Sequence, residues 1–264
     1  MPNMSTPRLP ELSAGSVGRG RAHRWVFVAF AIAATLGMDG AVHANDNVAE
    51  TAEPVVVLHG LARSAASMGR MVRSLETAGF IVCNVSYPSR RHPIETLARN
   101  FVAPEISACF PDVTVPIHFV THSLGGIIAR ELAASGAITN FGRVVMLSPP
   151  NEGSEVVDKL GHLWLFRAWN GPAGSELGTG PESLPQRLGP ARFRVGIITG
   201  TRTINPFLSL LIPGTDDGKV SVDRARLEGM ADFIVLPASH PFIMNRKDAI
   251  RQTIQFLRSG SFEH

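Results

Sequence analysis

Nowhere in the 264-residue chain does a cluster of Lys and Arg carry interleaved aromatics, which excludes an electrostatic nucleic-acid footprint. His, Cys, Asp and Glu do not recur at metal-ligand spacing, so neither a metal nor an organic cofactor is expected. The apolar run near the amino end, from Trp25 to about Leu36, is shorter than the ~20 residues a membrane-spanning helix needs. No cysteine stands directly after that run, which argues against a lipid-anchored lipoprotein. Internal repeats and low-complexity stretches are missing as well.

What is there begins with a leader. Arg19, Arg21 and Arg24 precede the apolar run, and Val42-His43-Ala44 has a small-x-small pattern. Residues 1–44 therefore read as a signal peptide cleaved after Ala44, with an uncleaved membrane anchor as the alternative. The leader takes four of the 25 basic and two of the 22 acidic residues, leaving 21 against 20 in the remaining 220, a balance that says little about nucleic acid. That remainder, 45–264, is long enough for one domain with a sizeable core, exported to the periplasm or secreted. Both cysteines of the chain, Cys83 and Cys109, lie in it. An oxidising compartment permits a bridge between them, and two buried free thiols are the other reading.

Past the leader, strand-like and helix-like patterns alternate. Val55 to Leu58 is a short continuous apolar run, as expected of a parallel strand buried on both faces. Met68, Met71, Val72 and Leu75 mark one helical face, which Gly79 stops. Further strands are expected at 80–85, 117–120, 144–147, 195–198 and 233–236. A helix opened by Pro93 carries Ile94, Leu97, Phe101 and Ile106, and Pro104 within it predicts a kink or break. Asn245 reads as the N-cap of the last helix, with Asp248 three residues on. The alternation implies an α/β fold, a mostly parallel sheet with helices on both faces. The stretch 151–190 interrupts it, rich in Gly and Pro and carrying Trp164, Leu165, Phe166 and Trp169. It reads either as a small cap-like, substrate-binding insertion or as a packed surface excursion whose aromatics fill core gaps.

Ser123 stands where the strand at 117–120 gives way to the helical pattern Ile127 to Leu132. A serine at such an elbow has strained backbone angles, projects its hydroxyl from the sheet edge, and leaves the next N–H free for an oxyanion. The elbow pattern expects glycine where this chain has the β-branched Thr121. A serine hydroxyl also needs a base to take its proton, a carboxylate to orient that base, and N–H donors. His240 is the candidate base, because it follows the last apolar strand, at the carboxyl end where open α/β sheets gather ligands. His118, inside a strand, and His59 read as hydrogen-bonded structural residues, and His122 is expected to point away from the nucleophile. Asp216 and Asp217 compete for the orienting role, since adjacent residues point in different directions; Asp217, before Gly218, is preferred. The backbone N–H groups of Leu61 and Leu124 are the candidate oxyanion hole, with Gly60 letting the chain turn tightly ahead of Leu61.

The order Ser123, Asp217, His240, with His59-Gly60 upstream and His122-Ser123-Leu124-Gly125-Gly126 at the elbow, resembles the α/β-hydrolase superfamily. The runs Val56-Val57-Leu58-His59-Gly60-Leu61 and Asp217-Gly218-Lys219-Val220-Ser221-Val222 are similar to those of bacterial exported lipases and esterases, small Bacillus-type lipases among them. Over about residues 54–258 this resemblance implies a single α/β-hydrolase domain, with Asp217 as triad acid and Leu61 as oxyanion donor; it implies nothing for 151–190. The expected activity is hydrolysis of carboxylic esters through an acyl-enzyme. The alternatives are acyl transfer or thioester cleavage at the same site, and a non-catalytic binding module on the same scaffold. The expected partner is a small-molecule or lipid ester, with transient contact to a membrane or lipid surface, and the chain is expected to be a monomer.

Overall fold

The central strands of this chain are apolar at nearly every position because helices cover both of their faces. The computed structural model describes residues 52–264, and the expected signal peptide 1–44 lies outside the described residues. Six strands form one sheet: β1 Pro54–Leu58, β2 Ile81–Val85, β3 Ile117–His122, β4 Phe141–Leu147, β5 Val195–Gly200 and β6 Asp232–Leu236. Every neighbouring pair is parallel, in the order β2-β1-β3-β4-β5-β6. All six coincide with the apolar runs of the sequence. β1, β3 and β5 are buried at every residue, whereas β2 and β6 at the two edges have exposed positions.

The helices are α1 Gly69–Thr77, α2 Ile94–Thr96, α3 Ala103–Cys109, α4 Leu124–Ala134, α5 Glu155–Leu160, α6 Trp164–Ser175, α7 Leu184–Arg187, α8 Pro206–Ser209 and α9 Lys247–Ser259. Alternate strand residues feed two cores. Val56, Leu58, Phe119 and Met146 pack with Ile94, Ile106 and Ile127 from α2, α3 and α4. Val55, Val57, Val120 and Leu147 pack with Leu75 of α1 and Phe256 of α9 on the other face. Full burial of each such side chain contributes about 1.5–3 kcal/mol.

Pro104 does not break its helix. Between α2 and α3 the chain runs as a π-helical stretch, Leu97–Val102, and the Ala103 N–H reaches back to the Ala98 carbonyl. Pro104 then falls in the first turn of α3, where an absent N–H has no partner to lose. A disulfide joins Cys83 of β2 to Cys109 at the end of α3, tying this arm to the sheet edge. The last helix starts later than Asn245. Burial of Ile243 and Met244 draws Ile243–Asn245 into a separate 3₁₀ turn, so the N-cap position of α9 passes to Arg246. Asp248 is held there by the Arg246 guanidinium at 2.6 Å.

The insertion 151–190 is clamped to α4. Arg130, almost fully buried, donates from Nη1 to the Asn151 carbonyl at 2.8 Å and from Nη2 to the Pro185 and Gly189 carbonyls at 2.7 Å each. One guanidinium therefore satisfies acceptors from both ends of the insertion. Arg130→Leu leaves those carbonyls unpaired and is expected to lower stability by about 3 kcal/mol, measured as a reduced midpoint in denaturant unfolding. A loss below about 0.5 kcal/mol would mean that water replaces the guanidinium without penalty.

Candidate active site

β3 ends at His122 and α4 begins at Leu124, so Ser123 alone makes the turn, with φ 53° and ψ −120°. Such angles cost a non-glycine residue about 1–3 kcal/mol. The surrounding backbone holds them: Ser123 N–H donates to the Leu147 carbonyl, and Gly126 N–H to the Ser123 carbonyl, each at 2.9 Å. Gly125 lets α4 press against the end of β1, since a Cβ there would stand 2.8 Å from the Leu58 carbonyl oxygen. Thr121 is fully buried, with Oγ1 3.5 Å from the Val145 carbonyl oxygen and 3.4 Å from where a Cβ on Gly126 would stand.

Ser123, His240 and Asp217 follow β3, β6 and β5, and the sheet order brings their loops together. His240 Nε2 lies 3.0 Å from Ser123 Oγ, and His240 Nδ1 lies 2.9 Å from Asp217 Oδ2. The other carboxylate oxygen, Oδ1, accepts the N–H groups of Lys219 at 3.0 Å and Val220 at 2.9 Å. Burial alone would raise the carboxyl of Asp217. The His240 charge and hydrogen bond, aided by the Val220 N–H and the nearby Ser148 hydroxyl, outweigh it and hold the group below the usual carboxylate range. Ser148 Oγ, although near the carboxylate, makes no hydrogen bond of standard geometry. Asp216 turns the other way: its carboxylate accepts the Ser209 hydroxyl at 2.6 Å and the Gly218 N–H at 2.7 Å.

Leu61 N–H makes no hydrogen bond among the described residues, and Leu124, first residue of α4, has one of the helix's unpaired N–H groups. The turn that holds Leu61 starts at Gly60 and closes with the Arg63 N–H on the Gly60 carbonyl at 3.3 Å. Its positive φ, 56°, falls at Ala62, whereas Gly60 provides room, because a Cβ there would stand 2.7 Å from His122 Nδ1. His59 is buried and stacked on Tyr87 at 4.0 Å between ring centroids, with Nδ1 2.9 Å from the Gly60 carbonyl oxygen. His118 accepts the Arg143 N–H at 2.7 Å. Both therefore serve structure. His122 departs from expectation: it does not point away from the site but faces it, with its ring 5.0 Å from that of His240 and Nε2 2.9 Å from the His240 carbonyl oxygen. Burial, together with the neighbouring His240 charge, pushes His122 well below the usual range, so it stays neutral and donates to that carbonyl. The space left by Gly60 is what admits its ring.

Ser123, His122, His240 and Leu61 open onto a cavity of about 600 Å³. The insertion supplies much of its wall through Val156, Val157, Leu160, Phe166, Trp169 and Leu177. The insertion thus walls the cavity and sends Ala173 and Leu177 into the core, but its aromatics do not fill core gaps, since Trp164 and Trp169 are exposed. Within α6 the helix breaks at Gly171 (φ 68°, ψ −172°), ahead of Pro172, which redirects the aromatic half of the segment. Leu163, Trp164, Leu165 and Trp169 there, and Phe207 and Leu210 at α8, are exposed. Six cavity residues outside the insertion had no site role in the sequence reading: Arg63, Pro150, Leu208, Lys219, Val220 and Pro241. Arg63 and Lys219 stand two residues from Leu61 and Asp217, but no local pattern says which way their side chains turn. Among the described residues no group of three or more His, Cys, Asp or Glu is placed to hold a metal ion.

A parallel sheet with a nucleophile-type elbow after β3 and an acid and a histidine after β5 and β6 defines a class. No family model matches the chain, and no curated protein sequence matches it. Solved structures do match. The mature form of a Bacillus licheniformis lipase is similar with a TM-score of 0.64 at 17% identity, over 79% of this chain and 93% of that one. A phospholipase from Legionella pneumophila gives 0.60 at 15%, over 80% of this chain and 60% of its own. A metagenomic carboxyl esterase gives 0.56 at 20%, over 73% and 66%. The chain has the α/β-hydrolase fold.

Proposed function

We propose that this protein is a serine hydrolase of carboxylic esters, an esterase or lipase acting in the periplasm or outside the cell. One observation carries the reading: Ser123, His240 and Asp217 form a hydrogen-bonded line, at 3.0 Å and 2.9 Å, that opens on an apolar cavity. Asp217 keeps His240 protonated at Nδ1, which leaves Nε2 free to take the Ser123 proton as Oγ attacks the ester carbonyl. The N–H groups of Leu61 and Leu124 receive the oxyanion. His240 then passes its proton to the departing alcohol, and a water deprotonated by the same nitrogen releases the acid from Ser123.

The apolar wall suits an acyl chain, and the exposed Trp164, Leu165, Phe207 and Leu210 suit transient contact with a lipid surface. The leader pattern and the disulfide support export. Lipases and an esterase of like fold agree with this reading. Each methylene buried in the cavity contributes about 0.8 kcal/mol, so kcat/KM on p-nitrophenyl esters is expected to rise by up to about fourfold per added carbon until the cavity fills. A rate that is highest on the acetate ester and falls with every added carbon would overturn the assignment of this cavity to the acyl chain.

A further inference from the structure

Two cations in the cavity have no task in the steps above. Arg63 and Lys219 are the Arg and Lys side chains that line it, and neither pairs with a carboxylate among the described residues. Both keep contact with solvent at the cavity mouth. Their positions are tied to the reacting histidine and its acid. Arg63 Nη2 donates to the Pro241 carbonyl, next after His240, at 3.3 Å. The Lys219 N–H is bonded to Asp217 Oδ1 at 3.0 Å. Burial, and then the Arg63 charge, push the Lys219 ammonium below its usual range against the pull of Asp217, so the two cations feel each other. Two like charges held at one apolar cavity, where the nearby Asp217 carboxylate is already bonded to His240, create a local positive potential that attracts an anion.

The chemistry says which part of a substrate meets them. His240 hands its proton to the leaving alcohol, so the alcohol part of a bound ester lies on the His240 side of Ser123. Arg63, whose guanidinium is bonded to the residue after His240, stands on that side, and Lys219, whose backbone is held by Asp217, lines the same cavity. We infer that Arg63 and Lys219 form an anion subsite for the alcohol part of the ester, so that the preferred substrate is an acyl ester whose alcohol carries a phosphate, as an acylated glycerol phosphate does. A guanidinium can take two phosphate oxygens at once and an ammonium a third. Hydrolysis breaks the acyl–oxygen bond and adds water, releasing the fatty acid and the alcohol with its phosphate intact. The inference rests on the ester-hydrolase reading, but binding measurements separate the two.

The experiment compares kcat/KM for 1-octanoylglycerol 3-phosphate and 1-octanoylglycerol, which share acyl chain and scissile bond. The ratio is expected to favour the phosphate by about tenfold at low salt and to shrink toward one at about 0.5 M NaCl. In Arg63→Gln/Lys219→Gln the ratio falls to about one, and Arg63→Lys, which keeps the charge but not the two-oxygen grip, falls between. A wild-type ratio of one or less, or an unchanged ratio in the double variant, overturns the subsite. Calorimetry on Ser123→Ala supplies a readout free of turnover: octyl phosphate is expected to bind about tenfold tighter than octanol. If neither ester is cleaved but this preference holds, the subsite stands and the ester reading falls. Equal binding of the two overturns the subsite even where esters are cleaved. Inorganic phosphate that competes as well as octyl phosphate overturns the substrate assignment, since the subsite would then serve a free anion.

Discussion

Ser123→Ala is expected to abolish covalent labelling by a fluorophosphonate probe and to lower ester turnover by about 10⁴-fold or more. The wild-type hydroxyl has one acceptor placed for its proton, His240 Nε2 at 3.0 Å, and it sits at the only non-glycine positive-φ position of the elbow between β3 and α4. Removing Oγ takes away the group that bonds to the carbonyl carbon, and no other hydroxyl occupies the elbow. The fold has little reason to change. The neighbouring backbone hydrogen bonds to Leu147 and Gly126 do not use the side chain. Labelling should therefore vanish while the thermal midpoint stays within a few degrees of wild type. An unlabelled wild-type protein, or a variant labelled to the same extent, would sink the assignment of Ser123 as nucleophile.

The second large effect separates two adjacent aspartates. Asp217→Ala is expected to lower kcat by about 10³–10⁴-fold, because His240 loses the acceptor that fixes its tautomer and balances its charge. Asp216→Ala is expected to stay within about tenfold of wild type, since it unties only Ser209 and Gly218, in the segment leading to α8. A larger loss at 216 than at 217 would reverse the assignment. The pair also has a pH signature. Burial would raise Asp217, but His240 holds it below its unfolded value, so its contribution to stability is complete at neutral pH and is lost only as pH falls through that lowered value. Acid unfolding of Asp217→Asn should lack this component, which a comparison of denaturant midpoints at neutral and acid pH would detect.

Much of this was legible before any coordinates. Strands such as Pro54–Leu58 announce themselves because a parallel strand buried on both faces must be apolar at consecutive positions. The elbow was legible because an apolar run ends, a small helix-compatible run begins, and one serine stands between. His240 and the aspartate pair were legible because each follows a strand, and strand ends in a parallel sheet share one edge. Side-chain direction was not. Asp217 rather than Asp216 faces His240 because a turn closes on Lys219 and Val220, a matter of backbone angles at Gly218. The same limit hid His122, whose ring turns into the site because Gly60, 62 positions earlier in the chain, leaves it room. Pro104 pointed to an irregularity but not to its form, since the chain stays helical through a π-helical stretch that moves the proline to the first turn of α3.

The sequence by itself determined the six strands, the elbow at Ser123 and the chain order of serine, acid and histidine, because each depends on residues within a few positions of one another. Tertiary structure alone decided which acid meets His240, how 151–190 walls a cavity, and that Arg63 and Lys219 flank the same mouth. Those last two cations stand on loops after β1 and β5, far apart in sequence. Only the order in which the strands pair, and the turns that follow them, brings such residues to one place.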